Sequence, residues 1–468
     1  MIVYLLADCM NAQTMVEKTW GNRGFNGAYS VAATNDGGYI LAGLSQNFGG
    51  DSVGNIIIIK TNSSCDTQWT FQFAGPQHKL QGGNDVMQTK DGGYMITGHT
   101  EGFGAGECDA YCMKLDRNGN KLWFKTYGGV LDDVSQSIVE LADGSFVFAG
   151  KTANYGAARF NIYIVKVSAE GDSIWQKTYG GSGLNYSFGI AQARHGGGFL
   201  VVGSTTSFGA GGEDGYVLRL DDNGNTLWTR TYGGPGNDRL YDVRWTLDGG
   251  YILAGGRAAN ATSTKANGWF IKFDSMCNFQ WQKLYGGIGY EAFLSINQLP
   301  NGNFIASGIS ENEDTLGKVF TEMTDSAGTE IYTGNYGPSG SYSRSIASQG
   351  ISGYMVVGST KPNLVTTGDL YYLEIMSVTG IAPVATNRSL NVYPVPAFNT
   401  EIFEIPASFA SSPYKMELFN ANGQLMKTIQ NEPGTEIPVQ IQAWAPGLYL
   451  YRFTTEGGSV FRGKFEVK

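Results

Sequence analysis

The chain has 468 residues and a net charge of −9, with 67 Gly, 26 Tyr, 25 Phe and 9 Trp against only 16% charged residues. Such a composition describes many short strands joined by tight turns, without helical heptads, and its acidic, lysine-poor character argues against nucleic acid or an anionic membrane as partner. Five cysteines (Cys9, Cys65, Cys108, Cys112, Cys277) are too few and too unevenly placed to form a disulfide framework.

Residues 1–13 open with an apolar run, Met1 to Ala7, interrupted by Asp8 and followed by polar residues. They read as the remnant of a secretory signal peptide, too short for a transmembrane segment. From residue 14 to 380 one unit recurs, clearest as Asp248-Gly249-Gly250-Tyr251-Ile252-Leu253-Ala254-Gly255. Its aromatic residue stands at Tyr39, Tyr94, Phe146, Phe199, Tyr251, Phe304 and Tyr354, in steps of 55, 52, 53, 52, 53 and 50 residues. A period near fifty belongs to stacked or radial copies of one supersecondary unit.

Each copy carries four strand-like runs bounded by Gly and Asn, so the predicted fold is all-β: a seven-bladed β-propeller of four-stranded blades. The Asp-Gly-Gly turns suit tight hairpins that need positive φ. Asp116 to Asn120 and Asp221 to Asn225 invite a calcium-loop reading, but they lack the spacing of an EF-hand and read as hairpin turns. Trp69, Trp123, Trp175, Trp228 and Trp281 begin the fourth strands, with Tyr332 in the sixth copy, and are expected to pack between blades. The seventh copy lacks its fourth strand, while Thr14 to Trp20 matches one with no copy before it; the N-terminal strand is therefore expected to close the last blade.

The long loops, such as Glu101 to Asp109 and Thr205 to Asp214, share one face. Near the start of the first strands a polar register recurs: Asn26, Gln81, Asp133, Asp238, Glu291 and Ser341 lie thirteen residues before the repeat aromatic, and Asn185 fits with one residue inserted. It reads either as a channel-mouth site for a polar ligand or a cation such as calcium, or as loop caps. A second cluster, His78 and His99 with Glu101, Glu107, Cys108, Asp109 and Cys112, raises zinc or another transition metal, although the spacing fits no compact ligand motif. No nucleophile motif occurs, no cofactor is called for and no catalytic residue is assigned.

After Ile381 the repeat stops and prolines accumulate. Residues 381–390 read as a linker, and residues 391–468 hold short alternating strands of a small Ig-like β-sandwich. Here Leu390-Asn391-Val392-Tyr393-Pro394-Val395-Pro396, Glu417-Leu418-Phe419-Asn420-Ala421-Asn422-Gly423-Gln424, Ala445-Pro446-Gly447-Leu448-Tyr449 and terminal Lys464-Phe465-Glu466-Val467-Lys468 follow in order. Together they resemble the type A C-terminal sorting domain of type IX secretion substrates, with Val395 where that family usually has Asn. The resemblance implies Tyr393, Pro394, Pro396, Gly423, Gly447, Tyr449, Lys464 and Lys468 as sorting-motif residues, the type IX secretion machinery as partner, and a secreted or cell-surface location. The repeats are likewise similar to the Asp-Gly-Gly-Tyr and Trp-x-Lys-Thr-Tyr-Gly-Gly propeller repeats found upstream of such tails.

On its sequence the protein reads as an exported binding or scaffold protein with a glycan or protein ligand on the long-loop face. The rivals are an extracellular carbohydrate-active enzyme using acidic loop residues such as Asp133 and Asp238, and an adhesin for a protein partner.

Overall fold

The computed structural model describes residues 13–20, 26–46, 54–76, 79–156, 158–287, 289–311, 317–349, 353–360, 369–377, 391–393, 400–404, 414–420, 424–431, 436–455 and 460–467. The chain divides into two compact units, Met1–Thr379 and Gly380–Lys468. Every regular element among the described residues is a strand.

In the larger unit the strands assemble in chain order into four-stranded antiparallel sheets of the propeller-blade type. The first sheet spans residues 26–73, the second 81–127, the third 133–179 and the fourth 185–232. The fifth, 238–285, and the sixth, 290–336, follow the same order and are linked by one parallel bridge, Ala266 to Tyr290. The seventh sheet holds Tyr342–Gln349, Gly353–Thr360 and Asp369–Ser377, and its fourth strand comes from the other end of the unit: Gln13–Trp20 pairs antiparallel with Asp369–Ser377. Gln13 is the first residue of this strand.

Burial follows strand position. Second and third strands are covered on both faces and read as continuous apolar runs, as in Asn55–Thr61, where Ile56, Ile57, Ile58 and Ile59 are all buried. Fourth strands keep one face open, and Trp69, Trp123, Trp175 and Trp281, each the third residue of its strand, are only partly buried. Trp69 meets Tyr94, Trp175 meets Phe199 and Trp281 meets Phe304 of the next sheet, with ring centroids 5.6, 6.4 and 6.3 Å apart.

The core is therefore a series of intersheet clusters. Ile58, Ile96 and Tyr111 join the first sheet to the second, and Phe148 and Tyr163 sit in the cluster between the second and third. Later clusters join the third sheet to the fourth, the fourth to the fifth, the fifth to the sixth and the sixth to the seventh. A further cluster places Val31, Leu41 and Ile57 of the first sheet against Met355, Val357 and Leu370 of the seventh. First strands touch first strands along the same sequence, and that of the seventh sheet touches that of the first.

Tyrosines tie the sheets further. Tyr127, Tyr179 and Tyr285, which end their fourth strands, donate to the carbonyls of Gly171, Gly224 and Gly328 in the following sheet at 2.7, 2.6 and 2.8 Å.

The hairpin motif has a structural explanation. Asp36 accepts hydrogen bonds from Thr34 Oγ1 and the Gly38 N–H, which fixes the turn, and pairs with Lys60 Nζ at 2.8 Å. Lys60 lies on the third strand with its side chain 3% exposed, and its ammonium also reaches the Thr61 carbonyl. Although partial burial acts against it, the Lys60 and Thr34 hydrogen bonds hold the Asp36 carboxyl down to about 2. Asp91–Lys114 and Asp248–Lys272 repeat the lock. In the fourth sheet Gly196 replaces the aspartate, and Arg219 replaces the lysine by donating to the carbonyls of His195 and Gly197.

The smaller unit consists of two antiparallel sheets. One orders Asn391–Tyr393, Thr400–Glu404 and Glu436–Gln440; the other orders Leu425–Gln430, Tyr414–Asn420, Gly447–Thr455 and Val460–Val467. Phe403, Ile437 and Val439 of the first pack with Met416, Leu418, Tyr451, Phe453 and Phe465 of the second in one core.

Candidate functional site

The polar register falls where the strands place it. Asn26, Gln81, Asp133, Asn185 and Asp238 are the first residues of their sheets' first strands, Glu291 is the second, and Ser341 immediately precedes Tyr342–Gln349. The insertion at Asn185 lies in the hairpin turn, where Gly196, Gly197 and Gly198 all have positive φ. All seven residues are buried, at 0–4% exposure.

What they touch is the loop that enters their own strand and the far end of the second strand beside it. Asp133 Oδ2 accepts from the Gly129 N–H at 2.7 Å and from Asn154 Nδ2 at 2.6 Å. Asp238 accepts from the N–H groups of Gly234 and Ala258 at 2.6 and 2.9 Å. Asn185 Oδ1 accepts from Thr205 Oγ1 at 2.7 Å while its amide donates to the Gly183 carbonyl. Asn26 accepts from Ser45 Oγ, Gln81 and Glu291 accept longer hydroxyl bonds from Thr100 and Ser310, and Ser341 Oγ donates to the Pro338 carbonyl.

This geometry accounts for the Tyr-Gly-Gly motif. Gly128, Gly180 and Gly233 have φ of +147°, +138° and +151°, and a Cβ on them would lie 2.2 to 2.4 Å from the side chain of Asp133, Asn185 or Asp238. Only glycine can enter a strand over a buried carboxylate or amide this closely. Burial pushes the carboxyls of Asp133, Asp238 and Glu291 up, as hydrogen bonds from the loops pull them down. Neighbouring carboxylates, Asp109 for Asp133 and Asp214 for Asp238, add to the upward shift. Asp133 Oδ1 and Glu291 Oε2 are buried without a hydrogen-bond partner.

A second set of residues was not legible as a site. In each of the seven first strands the pairing register shifts after the second, third or fourth strand residue, and the residues at the bulges are Tyr29, Asn84, Gln136, Phe188, Tyr241, Leu294 and Arg344. A bulge re-aims a side chain and twists the strand. The residue after it latches neighbouring sheets: Ser30 Oγ donates to Asp85 at 2.7 Å, Asp85 accepts from the Ile138 N–H at 3.0 Å, Asp242 accepts from the Ile296 N–H at 3.0 Å, and Ser345 Oγ accepts from the Val31 N–H at 3.2 Å. The signal in the sequence is a Ser, Asp or Gly at that position in every copy, hidden by the variable residue before it.

His99 lies inside the strand Tyr94–Thr100 and not on a loop, with its ring against Gly82. Burial, with Lys151 nearby, pushes its imidazole down to about 4, and Nδ1 has no hydrogen-bond partner. Cys108 and Cys112 are free thiols, both pushed up to about 12 chiefly by burial. Among the described residues no group of three or more His, Cys, Asp or Glu side chains converges as a metal site. His78 lies outside the described residues.

In the smaller unit Tyr449 is buried and its hydroxyl donates to the Ala445 carbonyl at 2.8 Å, while Gly447 takes φ of +150° where the strand begins. These contacts give the Ala-Pro-Gly-Leu-Tyr motif a folding role. Tyr393 and Lys464 lie on strands, and Pro394, Pro396, Gly423 and Lys468 lie outside the described residues, as does the linker 381–390.

Among curated proteins none matches this chain. Solved structures similar to it include the extracellular domain of a hybrid two-component system from B. thetaiotaomicron, at 11% identity and a TM-score of 0.46, covering 97% of this chain and 59% of that one. Another is a protein of unknown function from Dyadobacter fermentans, at 10% identity and a TM-score of 0.42, covering 77% of this chain and 98% of that one. The chain therefore spans about three-fifths of the first of these. No described helix is long and apolar enough to cross a membrane. Residues 391–467 match the family described as the secretion system C-terminal sorting domain, so the chain carries at its C-terminus the sorting tail of an exported protein, destined for the cell surface or the extracellular space.

Proposed function

We propose that residues 13–379 form a closed seven-bladed β-propeller, locked by its N-terminal strand, and that the protein is a surface or extracellular binding and scaffold module delivered by the type IX secretion machinery. The observation that carries the reading is the sorting tail joined to a unit of repeated four-stranded sheets. Ring closure is supported by the cluster shared by the first and seventh sheets, by the hydrogen bond from the Val31 N–H to Ser345, and by the pairing of Gln13–Trp20 with Asp369–Ser377. Radial repetition of this kind leaves few open sheet edges.

The polar register then rings one mouth of the propeller as loop caps, and ligand contacts fall to the residues that alternate with it. A binding role is favoured over hydrolysis by the burial of Asp133 and Asp238 and by the hydrogen bonds that hold them. The test is export. Behind a functional secretory signal, the full chain should reach the cell surface or medium, while a form ending at residue 387 should stay in the periplasm, folded and protease-resistant. Finding the truncated form outside the cell would end the sorting part of the proposal.

A further inference from the structure

We propose that the first strands of the fourth and fifth sheets, with Lys151 and the loop end at Arg159 and Phe160 of the third, form a binding site for an acidic oligosaccharide. The inference rests on the binding-module reading above and names its ligand class.

On the first strands, open residues alternate with the buried ones, as strand geometry requires. Tyr186 and Phe188 flank buried Ser187, and Arg239 and Tyr241 flank buried Leu240. The open residues join into a continuous band of rings. Phe160 lies 5.8 Å from Tyr186, Tyr186 lies 6.3 Å from Phe188, and Phe188 lies 5.2 Å from Tyr241 across the fourth and fifth sheets. Every ring in it is partly exposed. Repeated rings along one line suit a ligand of repeated rings, whose C–H faces pack on aromatic carbon while its hydroxyls stay wet.

The cations along this band set the charge of the ligand. Lys151 Nζ stands 4.4 Å from the centroid of Phe160 and 5.7 Å from that of Tyr186, and the Arg159 guanidinium stands 5.5 Å from Phe160. Neither makes an ion pair among the described residues. A cation held by the face of a ring keeps its N–H donors free, so it can still take a carboxylate or sulfate. Arg239 also lines the band but is paired with Glu213 at 2.7 Å, and the Glu213 carboxylate in turn accepts from Ser204. Glu107 and Asp132 line the hollow beside Arg159 and Phe160 and give the site an acidic border on that side.

Single-stranded nucleic acid also uses rings and cations. The net charge of −9 opposes the long-range attraction that such a polyanion relies on, whereas a short acidic saccharide needs only the local cations.

The test is calorimetric titration of the full chain with an oligogalacturonate, a neutral glucan oligomer of the same length, inorganic sulfate and oligo-dT. The oligogalacturonate should bind, and bind more weakly as salt rises. A Lys151→Gln, Arg159→Gln double variant should lose at least tenfold in affinity with its unfolding midpoint unchanged, and Tyr186→Leu should lose affinity at fixed charge. Absence of oligogalacturonate binding, equal binding of the neutral glucan, or full affinity in the double variant would overturn the inference. So would sulfate or oligo-dT binding as tightly, since the first makes the rings irrelevant and the second names another ligand. Export that still depends on the tail would leave the reading on which the inference rests standing.

Discussion

Replacing Glu322 by glutamine should stabilise the larger unit by an amount set by pH. Glu322 sits on the third strand of the sixth sheet, Lys318–Thr324, at 1% exposure, and its Oε1 has no hydrogen-bond partner. Matching Phe304↔Thr324 with Tyr251↔Phe273 shows that the fifth sheet carries Ile271 at this position. Burial first, and the Glu330 carboxylate second, push the acid from its ordinary 4.5 up to about 8. A folded-state value above the unfolded one means that the fold favours the protonated acid. The stability it allows is fully present below about pH 4.5 and is lost as pH rises through 8. Each pH unit climbed between those two values removes about 1.36 kcal/mol, so the cost is about 3 kcal/mol at pH 7 and ~5 kcal/mol above pH 8. Glu322→Gln removes the titrating group and keeps the shape. Urea unfolding followed by tryptophan fluorescence should show no difference between the two proteins at pH 4 and a gain of about 3 kcal/mol for the variant at pH 7. A difference independent of pH, or a variant less stable at pH 7, would refute the reasoning.

Two further substitutions separate packing from backbone effects. Gly128→Ala and Gly233→Ala should each cost about 2 kcal/mol or more, because the new Cβ meets a buried carboxylate. Gly92→Ala and Gly144→Ala, which have φ near +80° but open space around them, should cost only about 1 kcal/mol in thermal unfolding. The hairpin lock should respond asymmetrically. Asp248→Ala strands the buried Lys272 ammonium and should cost about 3 kcal/mol. Lys272→Met should cost less, since Met323 occupies the equivalent place in the sixth sheet and Asp248 is half exposed. Because the Asp91 carboxyl lies at about 2 and below its unfolded value of 3.8, the stability of that lock is present above pH 4 and is lost as pH falls toward 2.

Much of the architecture was legible because it is carried by period and turn chemistry. The repeat aromatics begin their second strands at Tyr39, Tyr94, Phe146, Phe199, Tyr251 and Phe304, and the unmatched N-terminal strand pairs where the missing fourth strand left room. What escaped depends on contacts far apart in the chain. Nothing local marks Lys60 as the partner of Asp36, 24 residues away. The strand Glu436–Gln440 was hidden by Pro438, which the fold tolerates because this strand lies at a sheet edge. The polar register was visible as a pattern, but its burial, with Gly128, Gly180 and Gly233 closing over Asp133, Asn185 and Asp238, was not. The band from Phe160 to Tyr241 is assembled from three sheets and has no spacing of its own.

The proposal of a closed ring is tested most directly by small-angle X-ray scattering on residues 13–379. Seven sheets closed into one compact body of that length should give a radius of gyration of about 21 Å. A value larger by a third or more, with the scattering of an elongated arc, would contradict ring closure and with it the ring of loop caps proposed around one mouth.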